Sequence, residues 1–220
     1  MVKIEDFATL VPLDLLNHSG KVFYSGRNAF TGIKPLYLLG FNPGGDPSEM
    51  PDETLRSHSQ RVLQELPSDW SEYDDESWVG SPPGSRGLQP RVRHLAEKIG
   101  LDLRSVPLSN LVFTRSRRAG SIRNEWEGLA LQCWPFHSAV IAKLSVKVIA
   151  CFGQDAGHWV RQRLNAAVQI DQFVESNSRR WRSEAFRNEE GVLSLAHPSI
   201  ANWTDSPTDP SALVRRVLAS

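Results

Sequence analysis

The sequence predicts an α/β protein: a three-layer αβα domain around a central, mainly parallel four-stranded sheet. Three observations carry this reading. Short apolar runs stop abruptly at turns rich in Gly, Pro and Asn, as strands buried on both faces do. Helical repeats with one apolar face stand between those runs. The chain has 220 residues, 40% of them hydrophobic, enough for one well-buried domain over residues 1–220 and little more.

The first predicted strand is Pro35 to Gly40 (PLYLLG), and the FNPGGDP that follows cannot continue it, because proline lacks the ladder N–H and glycine weakens a strand. Pro107 to Thr114, Val146 to Phe152 and Gly191 to Ala196 read as the second, third and fourth strands. Arg91 to Gly100 reads as a helix, with Val92, Leu95, Ala96 and Ile99 on one face and a terminating glycine. Trp126 to Leu144 reads as a longer apolar helix. Strands alternating with helices imply a parallel sheet covered on both faces, with right-handed crossovers. Residues 67–90 hold four prolines and three glycines and form the longest irregular stretch, which is expected to border a pocket.

Composition narrows the function classes. Lys plus Arg and Asp plus Glu number 25 each, so a net charge of zero argues against a basic coat, and any nucleic-acid contact must be a local patch. Only Cys133 and Cys151 are present, which excludes a disulfide framework and a four-cysteine metal or iron–sulfur site. They read as buried thiols in a reducing compartment. The N-terminal MVKIEDFATL lacks a signal-peptide core, and no run of about 18 apolar residues occurs. A cytoplasmic monomer without membrane contact, cofactor or metal is expected.

Ligands of such sheets bind beyond the carboxyl ends of the strands, so the residues at those ends can be compared. The first strand delivers Asn42, Gly44 and Asp46. The second delivers Asn110 and then Arg115, Arg117 and Arg118. The third delivers Gln154 and Asp155, and the fourth delivers His197 and Ser199. All are expected to converge on one rim.

GFNPGG at 40–45, followed far downstream by HPSIANW at 197–203, resembles the two signature motifs of the uracil-DNA glycosylase superfamily, in the same order and at similar spacing. Between them, SNLVFTRSRR resembles the second strand of that family with its base-reading asparagine, and LQCWPFHSAVIAKLSVKVIACFGQDA resembles the helix and strand that follow in the iron–sulfur branch. The resemblance spans about residues 35–203 and implies an αβα fold, a flipped nucleotide and hydrolysis of its N-glycosidic bond. Two departures matter. That branch needs four cysteines, so no cluster is expected here. The first motif carries Asn42 where the most active branch carries aspartate, as in the mismatch-specific and single-strand-selective branches, so uracil is expected to be a slow substrate or not the natural one. An aromatic residue stands at the position of Gly44 in the uracil-selective branch and excludes substituents on pyrimidine carbon 5. Glycine leaves that edge open.

The residues also support roles of their own. Breaking a base–sugar bond builds positive charge on the sugar and negative charge on the departing base. Asn42 can hold the attacking water through its side-chain carbonyl, and His197 can donate a hydrogen bond to the 2-carbonyl of the leaving base. Asp46 can supply a carboxylate for the sugar cation or the water, or can cap the following segment. The amide of Asn110 offers a donor and an acceptor to a pyrimidine edge. Gly45 and Gly44 allow close backbone approach or positive φ. Phe41 and Trp78 are stacking candidates for the flipped ring. Ser199 can bind a phosphate, and Ile200 can wedge into the gap left by the flipped nucleotide, unless it is a core residue. Arg115, Arg117, Arg118 and Arg123 form one basic cluster, and Arg179, Arg180 and Arg182 flank Trp181 in another, both suited to DNA phosphates unless they pair with Glu125, Glu127 or Glu184 on a solvated loop. The acidic run Asp69 to Glu76 is expected to face solvent or to guard the loop against nonspecific DNA.

The leading expectation is therefore a monofunctional DNA glycosylase, since no lysine stands in either turn to form a Schiff base. Its substrate is either a deaminated base such as uracil or a 5-substituted, hydroxymethylated or glucosylated cytosine of phage DNA. A noncatalytic module that recognises a modified nucleotide is the alternative. A phosphate-loop enzyme ranks last, because GFNPGG lacks the lysine and the serine or threonine such a loop requires.

Overall fold

In the computed structural model, which describes residues 2–220, six strands form one sheet: β1 (Leu36–Gly40), β2 (Leu108–Asn110), β3 (Val148–Phe152), β4 (Val168–Val174), β5 (Arg182–Arg187) and β6 (Gly191–Leu195). Their order is β2-β1-β3-β6-β5-β4. The four strands expected from the sequence are β1, β2, β3 and β6, and all of them pair in parallel. The expectation of a four-stranded sheet is corrected by the antiparallel hairpin β4–β5, which extends the sheet beyond β6. It escaped notice because β4, VQIDQFV, is an edge strand whose residues are exposed or half-buried, so it carries no continuous apolar run. The second strand is also shorter than expected. After Asn110 the backbone leaves the ladder to follow the turn beyond β1, with Leu111 N–H on Gly40 O at 2.8 Å and Val112 N–H on Phe41 O at 2.9 Å.

The helices are α1 (Glu5–Ala8), α2 (Leu55–Gln64), α3 (Gln89–Ile99), α4 (Trp126–Lys143), α5 (Gln154–Arg163) and α6 (Ser211–Ala219). Among residues 2–220 no helix is long and apolar enough to cross a membrane.

Alternation along the strands sorts the core into two layers. Tyr37, Leu39, Ile149, Cys151 and Val192 face a layer built from Phe7 of α1, Leu55 and Val62 of α2, Phe136 and Val140 of α4, and Trp159 and Val160 of α5. Leu36, Leu38, Val148, Ala150, Phe152, Leu193 and Leu195 face the other, built from Val92, Leu95 and Ala96 of α3 and Leu213, Val214 and Val217 of α6. The result is the expected αβα sandwich. Both cysteines are buried, and burial pushes the Cys133 thiol up to about 12.

Two buried contacts fasten α4 and α5 to the sheet. His137 of α4 faces the Tyr37 hydroxyl at 2.8 Å through Nδ1 and Leu111 O at 3.2 Å through Nε2. A carbonyl can only accept, so Nε2 carries the proton and Nδ1 receives the phenol hydrogen. Desolvation lowers the pKa of this ring to about 3, which keeps it neutral. On the other flank, α5 lies so close to β6 that a Cβ added at Gly157 would fall 1.9 Å from Ser194 Oγ and 2.7 Å from Ser194 Cα. Only glycine permits that approach.

Gly157→Ala is therefore expected to destabilise the protein by about 2 kcal/mol through overpacking. Gly128→Ala, on the exposed side of α4 with nothing within 4 Å of the new methyl, is expected to stabilise it by about 0.5–1 kcal/mol. Urea unfolding of both variants reads the two signs.

Candidate functional site

The parallel strands end at one level. Gly40 pairs with Asn110 across β1 and β2, and Phe152 pairs with Leu195 across β3 and β6. The chain moves from β1 outward to β2 and then back across to β3, so the order of the sheet reverses at β1. Crevices of this kind are where open α/β sheets bind ligands. Asn42 follows β1, Asn110 closes β2, and His197 follows β6.

Asn42 is anchored by its amide nitrogen. Nδ2 donates to Ser116 Oγ at 2.8 Å, Pro43 O at 3.0 Å and Thr114 O at 3.3 Å. Two of those partners are carbonyls, so the side chain must present its NH₂ to them and direct Oδ1 away. Oδ1 has no hydrogen bond among the described residues. The turn itself is held by the segment after β2, through a bridge between Gly44 and Ser116 and a bond from Ser116 N–H to Pro43 O at 3.1 Å. Ser116 is a positioning residue that the sequence did not disclose, because 74 residues separate it from its partner.

Asn110 is 5% exposed, and its Nδ2 is buried without a hydrogen-bond partner. Its Oδ1 crowds β1, where a Cβ at Gly40 would fall 2.0 Å away. An orphaned buried amide costs about 1–3 kcal/mol, and this one lies beneath the rim with no surface of its own open to solvent.

His197 is fixed by its own turn. Its Nδ1 faces the Ser199 backbone N–H at 3.1 Å and the Ser199 hydroxyl at 2.7 Å. A backbone amide can only donate, so Nδ1 holds the lone pair and the neutral ring carries its proton on Nε2. That proton has no acceptor among the described residues. Burial lowers the pKa of the ring to about 4, helped by the positive charge of Arg91, which donates from α3 to Pro198 O. Trp203 fastens the end of the turn, fully buried against Phe152 and donating from Nε1 to Ala196 O at 3.0 Å. Gly153, at φ +106°, brings the backbone beneath the imidazole, 3.5 Å from Cδ2 to where its Cβ would stand. With β3 between them, β1 and β6 are two strand spacings apart, about 10 Å.

Other expectations change with the structure. Arg115 is not available to phosphate. Its side chain is 4% exposed, donates to Gly44 O and to Ser19 Oγ at 3.2 Å, and is paired with Glu53. It clasps the first turn because a desolvated guanidinium requires those acceptors. Ser199 directs its hydroxyl to His197. Asp46 serves its turn: Oδ1 accepts the hydroxyl and N–H of Ser48, Oδ2 pairs with Arg117 at 2.9 Å, and these contacts, Ser48 first, hold its carboxyl below the usual range. Trp78 is engaged inside its loop, donating to Glu72 at 2.8 Å and packed on Tyr73 and Gly87. Phe41 rests at the rim against Trp126, with ring centroids 5.2 Å apart. Arg117, Arg118 and Ile200 are exposed as expected.

The acidic run does not face solvent as a whole. Glu72 is 1% exposed and pairs with Lys21, Asp74 and Asp75 pair with Arg104, and Glu76 pairs with Arg61. The 67–90 segment is thus tied down by its own carboxylates. Gln89 completes it with bonds to Glu72 O and Glu76 O at 3.1 and 2.7 Å. Gly45 has φ +108°, but Gly44 does not need positive φ and has nothing within 4 Å of an added Cβ. Among the described residues no three His, Cys, Asp or Glu side chains meet in a group able to hold a metal ion.

Two outcomes follow. Arg115→Met is expected to cost about 3 kcal/mol in urea unfolding, whereas Arg118→Ser is expected to change stability by less than about 0.5 kcal/mol. The second concerns pH. His197, His137 and His58 all have folded-state pKa values below the ordinary 6.5. The unfolded chain therefore binds their protons more tightly, and stability falls as pH drops from 6.5 toward 4. His197→Ala is expected to reduce that slope by one proton, about 1.4 kcal/mol per pH unit. No family model matches this chain, and a search of curated proteins finds no match either.

Proposed function

We propose that this chain is a monofunctional DNA glycosylase that flips a modified pyrimidine nucleotide into the rim and hydrolyses its N-glycosidic bond. One observation carries the reading. Three side chains at the ends of parallel strands are fixed in place, yet each keeps one polar atom without a partner among the described residues: Asn42 Oδ1, Asn110 Nδ2 and His197 Nε2. An acceptor, a buried donor and a neutral N–H donor are the groups this hydrolysis requires.

The chemistry follows from those atoms. Asn110 donates from Nδ2 to an acceptor on the base edge and orients the ring. Asn42 accepts a hydrogen from water through Oδ1 and aims the water oxygen at the sugar carbon. As the carbon–nitrogen bond breaks, its electron pair leaves with the base, and His197 Nε2–H donates to the carbonyl oxygen where that charge gathers. With a pKa near 4 the imidazole is neutral at physiological pH, so it stabilises the anion as a hydrogen-bond donor without adding a charge. The water oxygen bonds to the sugar carbon, its proton goes to bulk water, and an abasic site remains. Asp46 stays ionised beside the turn, where Ser48 and Arg117 hold its carboxylate. Arg117 and Arg118, exposed on the segment clasped to the first turn, supply a local phosphate contact on a chain of zero net charge.

Open space around Gly44 favours a base bearing a substituent on carbon 5 over plain uracil. Hydroxymethylated and glucosylated cytosine of phage DNA are the substrates of that class, and their excision would serve as defence. The test is incubation with uracil-containing oligonucleotides and, in parallel, with phage DNA carrying those cytosines, read by alkaline cleavage at abasic sites. Cleavage is expected on the modified DNA. Asn42→Ala and His197→Ala are each expected to slow it about 10²–10³-fold while leaving DNA binding in place. Gly44→Phe is expected to fold normally, to reject the 5-substituted base and to spare uracil. Abasic sites that form regardless of Asn42 and His197 would overturn the roles given to these residues, and none on either DNA would overturn the proposal in favour of a noncatalytic binding module.

A further inference from the structure

A cavity of about 500 Å³ opens on the side of His197 turned away from β1, between the β4–β5 hairpin and the turn after β6. Gln154, Trp181, Arg182, Glu184, His197 and Ile200 are among its walls. Trp181 is 38% exposed and Ile200 is 55% exposed, so the cavity is walled in part by apolar surface open to solvent.

The walls are built rather than loose. The guanidinium of Arg179 pairs with Glu175, whose side chain is 1% exposed, at 3.0 Å. The same group donates to Ile200 O at 2.8 Å and stands 4.6 Å from the centroid of the Trp181 ring. Asn177 adds bonds to Glu175 at 2.9 Å and to the Arg179 N–H at 3.0 Å. One buried carboxylate thus locks the hairpin tip to the turn that carries His197, and Arg179 braces the indole in a fixed orientation. Arg180 and Arg182 outnumber Glu184 around the opening.

We infer that this cavity is a second nucleotide subsite, in which a base next to the target in the same strand stacks on Trp181 while Arg180 and Arg182 meet its phosphate. The inference rests on the DNA glycosylase reading of the rim. An indole covered on one face by Arg179 and flanked by two cations suits a flat base joined to an anion on its other face, and stacking of this kind tolerates any base. His197 belongs to both spaces, so an occupant lies one nucleotide from the target. A substituent on carbon 5 of the target base points toward Gly44, on the opposite flank, and does not compete for this space.

The test uses the full chain and a duplex carrying an uncleavable tetrahydrofuran abasic analogue, with 2-aminopurine placed on either side of it in turn. Binding is read by anisotropy and stacking by quenching of the 2-aminopurine. Wild type is expected to quench one of the two probes. Trp181→Ala is expected to lose that quenching and bind about tenfold more weakly, and Trp181→Phe to recover most of both, with the urea midpoints confirming that the variants fold. Equal quenching and affinity in wild type and Trp181→Ala would overturn the subsite. If bases are excised but Trp181 is indifferent, the subsite alone fails. If Trp181 governs binding and no base is excised, the glycosylase reading fails while the subsite stands, and absence of DNA binding overturns both.

Discussion

Parallel strands buried on both faces must surrender their last backbone groups at the same edge, because register fixes where each strand stops. Gly40, Asn110, Phe152 and Leu195 end the strands here. The carbonyls and amides just beyond them lie under helices, and each must find a partner or remain a costly orphan. Much of the local structure at this rim answers that requirement. Arg115 takes Gly44 O, Ser116 takes Pro43 O, Arg91 takes Pro198 O and Trp203 takes Ala196 O.

The same solution leaves a chemical remainder. Asn42 is immobilised by the three bonds of its NH₂, which frees its carbonyl, and His197 is immobilised through Nδ1, which frees the N–H at Nε2. Side chains held on one side and open on the other are preorganised, so they need little rearrangement as charge develops on a substrate. His137 applies the same rule in the interior, where both nitrogens are engaged and the ring is structural. The lowered pKa values of His137 and His197 thus have one main physical origin, burial, and different consequences, because only His197 keeps a nitrogen free at the rim.

Charge on this chain is sorted by depth rather than by amount. Arg115 and Arg179 turn inward to carboxylates and carbonyls and fasten the two turns, while Arg117, Arg118, Arg180 and Arg182 remain at the surface near the rim. The acidic residues of the 67–90 segment likewise bind Lys21, Arg61 and Arg104. A neutral total therefore hides which arginines are spent inside and which stay exposed, a distinction composition alone does not reveal.

By itself the sequence determined the fold class, the four parallel strands, the helices α3 and α4, and the residues that follow the strands. These depend on apolar runs and turn residues, which are local. It left the hairpin β4–β5 unseen, since a solvated edge strand needs no apolar run. The acidic segment, read as solvated, became a half-buried network of ion pairs around the buried Glu72, and Arg115, read as a phosphate ligand, became a clasp, because a charged side chain looks the same in sequence whether it meets water or a partner 62 residues away. Which tautomer His197 adopts, which atom of Asn42 is free, and that Asn110 has an amide without a partner were decided only by the tertiary structure. Each follows from contacts between segments brought together by the sheet, and no local pattern encodes them.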